Sequence, residues 1–240
     1  MEKSKLSTII FAVLIAGGIA LAGYFIGQTM YNAKVAINTA TVKGLAERVV
    51  ESDRADWTIL YAVGSTKRED IPALYAQAEK DQKTIIDLLL KNGIKDEEIT
   101  IGTIDYDHAV YRDENQKIVD EQYRLRGDIK VSTQNIHLIA SLRQKVNKLL
   151  TEGINVSSGN PTYRFTKLND IKPEMLETAT KNARIAANEF AKNAGTSVGR
   201  IYSARQGNFS IQDFGQDYGD TQEIKKVVRV ITTITFYLKD

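Results

Sequence analysis

The sequence predicts an α+β fold, with three long helices packed on a mainly antiparallel sheet and one transmembrane helix before them. An uncharged apolar run at the N-terminus predicts the transmembrane helix. Three long amphipathic stretches predict the packed helices. Between them lie β-branched and aromatic runs in an order that does not alternate regularly with the helices, which favours an antiparallel sheet. No glycine-rich strand-to-helix turn is present, so a doubly wound nucleotide-binding fold is disfavoured.

The apolar run is Leu6 to Gly27, and it contains no charged residue. As a helix it spans roughly 33 Å at about 1.5 Å per residue, enough to cross a hydrocarbon core of about 30 Å. Lys3 and Lys5 precede it, whereas the next basic residue is Lys34. This asymmetry predicts residues 1–5 in the cytoplasm and a single-pass protein of the inner (cytoplasmic) membrane, with its C-terminal domain in the periplasm or outside.

The same run has a second interpretation as a cleaved signal peptide, because Ala20-Leu21-Ala22 has the small-x-small pattern of a cleavage site. An uncleaved anchor is favoured because the apolar residues continue through Tyr24 to Ile26. Small residues also recur on one helical face, which predicts close packing against a second transmembrane helix. This face consists of Ala16, Ala20, Gly23 and Gly27.

Residues 28–39 are predicted to be a polar juxtamembrane linker, and residues 40–240 a single exported domain. From residue 6 onward the chain has 30 basic and 29 acidic residues, so it lacks the basic excess typical of nucleic-acid binding. Cysteine is absent, which excludes disulfides, thiolate metal sites and a cysteine nucleophile. We therefore predict neither a nucleic-acid partner nor a cofactor.

The exported elements follow from hydrophobic periodicity and turn residues. Strands 41–50 and 57–63 are predicted to form a hairpin around the Ser52-Asp53 turn, and Asp70 is predicted to cap the first helix. Residues 208–221 are predicted to be a glycine-rich loop. The predicted helices are 70–91, 135–151 and 173–194, and the remaining strands are 99–111, 119–131, 156–165, 198–205 and 227–238. Helical spacing places Phe190 on the inward, packed face of the third helix.

Each predicted helix ends near a glycine that can adopt a left-handed conformation, namely Gly93, Gly153 and Gly195. A few polar residues and a strand follow each glycine. Two of these segments, Leu88 to Ile104 and Leu149 to Phe165, are similar enough to suggest a duplicated helix–strand unit.

The most metal-like cluster is Asp105-Tyr106-Asp107-His108. Side chains alternate along a strand, so Asp105 and Asp107 share one face whereas His108 points to the other. The prediction is a solvated strand end, without metal or catalytic residues. His137 is interpreted as a helix-boundary residue. A stripe of Arg124, Arg126 and Lys130 could contact lipid headgroups or an acidic partner, but a solvated sheet face is favoured.

The segment from Gly207 to Asp220 carries Phe209, Phe214 and Tyr218 in a glycine-rich context. Aromatic residues on loops commonly make contacts with partners. The other interpretation, that these rings pack on the core of their own domain, remains equally open. The three aromatics are therefore candidate partner-contact residues.

Two stretches resemble the SIMPL-domain family, which includes the YggE-type envelope and periplasmic proteins. One runs from Val42 to Glu47 and continues at Asp53 to Trp57; the other runs from Ala183 to Ile201. Both consist of packing and turn residues. The resemblance implies a periplasmic or membrane-anchored bacterial protein that is associated with stress defence, often self-associates and has no established catalytic activity.

The predicted function is therefore a non-catalytic, self-associating domain anchored in the bacterial envelope and linked to oxidative or envelope stress defence. The expected partners are the membrane and further copies of the chain. Two alternatives remain: a structural oligomer that forms a ring or pore, and a hydrolase that uses Asp105, Asp107 or His108.

Overall fold

A computed structural model describes residues 2–34, 38–216 and 218–239. The chain divides into two compact units. The first unit comprises Met1–Ala46, Glu174–Asn208 and Val230–Asp240, and the second comprises Glu47–Pro173 and Phe209–Arg229. The strands are antiparallel and the helices are long, so the predicted α+β class is confirmed. The strands form two sheets, where the sequence predicted one.

The N-terminal helix α1 runs from Glu2 to Lys34. Within it Ile10–Asn32 is long and apolar enough to span a membrane, and it is the one such helix in the described part of the chain. The helix continues to Lys34, so most of the predicted juxtamembrane linker 28–39 is helical. Residues 35–37 of that linker lie outside the described residues.

The larger sheet lies in the second unit, and its two longest strands pair along their whole overlap from Ala55–Thr133 to Ser65–Tyr123. Shorter strands flank this pair on both sides. The six strands are β2 (Arg54–Ser65), β3 (Ile99–Ile101), β4 (Asp105–Arg112), β5 (Ile118–Thr133), β6 (Val156–Ser158) and β7 (Thr162–Arg164).

Helices α2 (Ile71–Lys91) and α3 (Ile136–Lys148) pack against this sheet. Their inward residues form one core with the alternate residues of β2 and β5, as the periodicity predicted. Its large members include Trp57, Ile59, Tyr61, Ile85, Leu89, Ile129, Ile139 and Leu142. Asp70 precedes α2, but its carboxylate accepts a hydrogen bond from Ser65 and makes no cap, so that prediction is wrong.

The three glycine helix ends adopt the predicted conformation. Gly93, Gly153 and Gly195 have φ of 97°, 90° and 71°. In the first two, the N–H of the following isoleucine bonds back to the last inward leucine carbonyl of the helix, over 3.2 and 3.1 Å. One local structure thus recurs at two places, and duplication of the two segments stays a prediction.

The smaller sheet contains β1 (Thr39–Glu51), β8 (Ser197–Gln206), β9 (Ser210–Asp213) and β10 (Lys225–Lys239). β10 pairs with β1, with β8 through its C-terminal part and with β9 through its N-terminal part. In the first unit, helix α4 (Leu168–Asn193) covers this sheet with a row of buried alanines. Gly44 of β1 lies under this row, where an added Cβ would be 1.9 Å from the carbonyl oxygen of Ala179.

The predicted hairpin between strands 41–50 and 57–63 is wrong, because β1 and β2 belong to different sheets. The Ser52 N–H instead donates to Ile224 O at 2.8 Å, and Asp53 accepts from Thr166. The two strands also bury different surfaces. Small residues of β1 face α4, whereas large residues of β2 face the core of the second unit.

Other element boundaries also differ from those predicted. The predicted strand 99–111 is interrupted at Gly102, which approaches Asp128 so closely that a Cβ would be 1.9 Å from its carboxylate. The predicted strand 156–165 is divided into β6 and β7. α4 begins before Pro173, and Phe190, predicted on its inward face, is 65% exposed.

Candidate functional site

The predicted aromatic loop is partly a strand. β9 occupies Ser210–Asp213, and the chain then turns through residues 214–224 into β10; Asp217 lies outside the described residues. We call residues 209–225 the contact loop. Phe214 is 51% exposed and Tyr218 is 91% exposed. Phe209 is half-buried, with Lys172 Nζ 5.8 Å from its ring centroid.

A fully buried ion pair supports the base of the contact loop. Lys226 donates a hydrogen bond to Asp213, and both side chains have essentially no solvent exposure. β9 and β10 place them in direct register, with Lys226 opposite Asp213 across the ladder. A buried ion pair costs desolvation energy, so it keeps its geometry only where further hydrogen bonds satisfy its atoms.

Backbone groups of the loop supply those further bonds. The second carboxylate oxygen of Asp213 accepts from the Gln222 N–H at 2.9 Å, and the Asp213 N–H donates to Gly219 O at 3.0 Å. Phe214 N–H donates to Lys225 O at 2.9 Å. Burial alone would raise the pKa of Asp213, but the hydrogen bonds from Lys226 and the backbone outweigh it and lower that pKa. The carboxylate therefore stays ionised and holds the loop closed.

The described part of the loop presents two aromatic rings at the surface. Phe214 lines a shallow groove of about 350 Å³ together with Tyr163 and Ile224. Tyr218 has almost no contact with its own unit. Phe209 is thus half-covered by its own unit, whereas Phe214 and Tyr218 remain available for contact.

Sequence reasoning missed the ion pair, although one signal pointed to it. Lys226 lies on the same face of β10 as Val228, Val230 and Ile234, which form the buried face of that strand. A lysine in that series requires an acidic partner in the core. The partner could not be read from the sequence, because Asp213 lay inside a predicted loop.

The structure separates the candidate cluster on β4 as strand alternation predicted. Asp107 forms an ion pair with Arg126 at 2.9 Å, and Asp105 accepts from Thr103 at 3.2 Å. His108 instead stacks on Tyr123, with ring centroids 4.5 Å apart. Among the described residues no three acidic or histidine side chains come together as a metal site.

The His108 side contains a small polar cluster. His108 Nε2 lies 3.9 Å from Glu121 Oε1, and the Tyr123 hydroxyl donates to the other oxygen of Glu121 at 2.6 Å. This bond to Glu121 raises the pKa of Tyr123, because the carboxylate favours the protonated phenol. Each of these three side chains thus has its partner within the cluster.

The remaining charged candidates lie at the surface. His137 is 3.7 Å from Glu51, and both side chains are exposed. In the predicted basic stripe, Arg126 pairs with Asp107 and Lys130 lies 3.4 Å from Asp128. The stripe is thus interrupted by carboxylates on its own strand and on β4.

An open polar cleft of about 610 Å³ lies at one end of the larger sheet. Its carboxylates belong to turns. Burial would raise the pKa of Asp53, but the hydroxyl and N–H of Thr166 lower it. Burial would also raise the pKa of Glu98, but hydrogen bonds from the Lys95 N–H and the Thr133 hydroxyl lower it. Both carboxylates stay ionised as acceptors that fix local turns, which is unlike a general acid.

On α1 the small-residue face of Ala16, Ala20, Gly23 and Gly27 is exposed. A Cβ added at Gly23 or Gly27 would meet nothing within 4 Å. The space that a second helix needs is therefore open, and packing there stays a prediction.

The comparisons with known proteins address the family. The model of the SIMPL family, described as "Protein of unknown function (DUF541)", matches residues 40–229. The chain belongs to the SIMPL family. The SIMPL match covers both stretches on which the resemblance rested and nearly all of the predicted exported domain. No curated protein matches the chain.

Several solved structures resemble parts of this SIMPL chain. One is "a putative aminohydrolase" from methicillin-resistant Staphylococcus aureus, with 11% identity, a TM-score of 0.26 and coverage of 62% of this chain and 40% of that chain. A second is "a putative amidohydrolase/peptidase" from Burkholderia cenocepacia, with 12% identity, a TM-score of 0.23 and coverage of 59% of this chain and 35% of that chain. A third is an amidase of the hydantoinase/carbamoylase family from Burkholderia vietnamiensis, with 10% identity, a TM-score of 0.20 and coverage of 51% of this chain and 30% of that chain. The SIMPL chain matches less than half of the length of each, and at these TM-scores the likeness carries no functional argument.

Proposed function

We propose that this SIMPL protein is a non-catalytic, self-associating domain that α1 anchors in a bacterial inner membrane, with its domain in the periplasm or outside. Its cellular role is in oxidative or envelope stress defence, as its resemblance to envelope proteins implies. The anchor is supported by the apolar span Ile10–Asn32. Lys3 and Lys5 before that span favour a cytoplasmic N-terminus.

The proposal of self-association rests on the exposed rings of the contact loop. A ring that is exposed on a flexible loop loses conformational entropy when a partner immobilises it. Here Asp213, Lys226 and the backbone bonds around them already hold Phe214 and Gly219, so the entropy cost is reduced for Phe214 and for the neighbouring Tyr218. Aromatic side chains of this kind often dominate interface energy.

The test is the molar mass of the full-length chain in mild detergent, measured by light scattering after size-exclusion chromatography. We expect an oligomer, and the double variant Phe214→Ser/Tyr218→Ser should shift it toward monomer. The matched control is Tyr75→Ser/Ile185→Ser, which removes two exposed apolar side chains elsewhere.

Equal masses for both double variants would show that the contact loop is not part of the interface, and α1 would be the remaining candidate for the contact. A wild-type chain that is monomeric in mild detergent would refute self-association. A closed ring of many copies would favour the ring- or pore-forming alternative. The hydrolase alternative is not favoured, because Arg126 and Thr103 engage Asp107 and Asp105 away from His108.

A further inference from the structure

Four chain segments of the first unit meet at one end of the smaller sheet. The Leu238 N–H donates to Asn38 O at 2.8 Å, so the end of β10 lies beside the start of β1. Lys239 is in register with Ser197 at the start of β8. One residue earlier, the Thr196 N–H donates to Ala191 O of α4 at 2.9 Å.

The same end is tied to α1 by a short connection. α1 ends at Lys34 and β1 begins at Thr39. At no more than about 3.6 Å per residue, these positions lie within roughly 18 Å of each other. The headgroup layer extends about 5–8 Å beyond the hydrocarbon core. If Ile10–Asn32 spans the membrane, this end of the first unit is held close to the headgroups. We call it the proximal end, defined by Phe190, Lys192, Arg200 and Lys239.

The surface chemistry of the proximal end suits an anionic lipid surface. Lys192, Arg200 and Lys239 are exposed, and within residues 189–206 and 230–239 the one acidic residue is Glu189. Asp240 lies outside the described residues. Arg200 also stacks over Tyr237, 5.2 Å from its ring centroid, and Tyr202 packs edge-on against the same ring. Aromatic and basic residues together are typical of membrane interfaces.

Phe190 adds an apolar element that the domain does not use. It lies in the last turn of α4 with 65% of its surface exposed, whereas its neighbours Ala187 and Ala191 are buried. An exposed ring of this size at a helix end can enter the boundary between headgroups and acyl chains.

We propose that the proximal end is a docking surface for the anionic phospholipid headgroups of the membrane that α1 crosses. Phe190 inserts at the acyl boundary, and the three basic side chains bind headgroup phosphates. Docking fixes the orientation of the domain on the bilayer. The proposal rests on the proposed membrane anchor.

The absence of cysteine makes a direct test possible. Full-length Phe190→Cys carries an environment-sensitive nitrobenzoxadiazole label in nanodiscs. The discs contain either phosphatidylcholine alone or equal amounts of phosphatidylcholine and phosphatidylglycerol, with spin-labelled lipid as quencher. We expect a blue shift and quenching in the anionic discs, and weaker effects in the neutral discs. The reference position is Glu177→Cys on the same helix, about 20 Å toward its N-terminus at about 1.5 Å per residue.

Charge variants test the headgroup contact. Near an anionic surface a basic residue contributes roughly fivefold to binding. Lys192→Gln/Arg200→Gln/Lys239→Gln should therefore lower the docked fraction by about tenfold or more. The control Lys80→Gln/Lys83→Gln/Lys91→Gln changes three exposed lysines of α2 and should leave docking unchanged.

A label at position 190 that is as water-exposed as one at position 177, in discs that retain the protein, would overturn the docking surface and leave the anchor intact. Loss of docking in both triple variants would overturn the specific role of the proximal end. A chain that the discs do not retain would instead refute the anchor, and with it the premise of docking.

Discussion

Lys226 and Asp213 illustrate how one buried ion pair can determine the structure of a loop. Each is buried, and each would be strongly unfavourable without the other. Periodicity identified the buried face of β10, because Val228 and Val230 follow the alternation. It could not identify Asp213, since an acidic residue among glycines and aromatics is also typical of an exposed turn.

Removing one member of this pair should be costly. Asp213→Ala leaves the Lys226 ammonium buried without a counter-charge, and we expect about 3–5 kcal/mol less free energy of unfolding. Asp213→Leu/Lys226→Met removes both charges and should cost much less. Urea unfolding of the full-length protein in detergent measures both values. Glu177→Ala is the control, because its ion pair with Lys181 is exposed and its loss should change stability little.

The lowered pKa of Asp213 gives the same prediction a pH dependence. A carboxyl whose pKa is lower in the folded state stabilises the fold at any pH above its pKa in the unfolded chain, ordinarily 3.8. This stabilisation is lost as the pH falls through the lowered pKa of the folded state. The difference in unfolding free energy between the wild type and the double variant should shrink over that acidic range. A constant difference, or a small cost for Asp213→Ala alone, would contradict this account of the pair.

At the scale of elements, local signals predicted well where one element determines its own shape. The glycine helix ends and the inward faces of α2 and β5 follow from periodicity and from the conformational freedom of Gly93 and Gly153. Pairing between strands was less predictable. Strands β1 and β2 are separated by two residues, yet β1 pairs with β10, which is far away in sequence. A short turn predicts a hairpin only when neither strand has a better partner.

The packing of β1 beneath α4 gives an element-scale prediction. A Cβ at Gly44 would lie 1.9 Å from Ala179 O and 2.6 Å from Ala183 N, and both are backbone atoms that cannot rotate away. We expect Gly44→Ala to lower the free energy of unfolding by about 1–3 kcal/mol. Gly159→Ala is the control, because its Cβ would meet Thr58 O at an ordinary 3.6 Å. Equal stability of the two variants would show that α4 is free to shift away from β1.

At the scale of the whole molecule, the sequence predicted the fold class and an N-terminal apolar helix of membrane-span length, whereas exposure of the aromatic rings was less predictable. Phe214 and Tyr218 were named from residue type and context, and both are exposed. The same reasoning included Phe209, which is half-buried, and placed Phe190 in the core. Aromatic identity does not determine burial, because burial depends on which element covers the ring.

The proposed membrane anchor gives a whole-molecule prediction. We expect the full-length chain to remain in the membrane pellet after alkaline carbonate extraction, because Ile10–Asn32 is long enough to span the hydrocarbon core. Its N-terminal sequence should begin before the apolar run. Recovery of a soluble form that begins at Gly23, after Ala20-Leu21-Ala22, would establish a cleaved signal peptide instead. Replacing Ala22 with a bulky residue would block that cleavage and return the chain to the pellet.

The backbone hydrogen bond between Asn38 and Leu238 makes the chain from residue 38 onward suitable for circular permutation. A few glycine and serine residues would bridge its two ends, and new ends could be opened in the exposed 114–117 turn between β4 and β5. Such a permuted chain would carry α1 on the β4–β5 turn. The proposed anchor would then be attached at a new point, without altering any strand of either sheet.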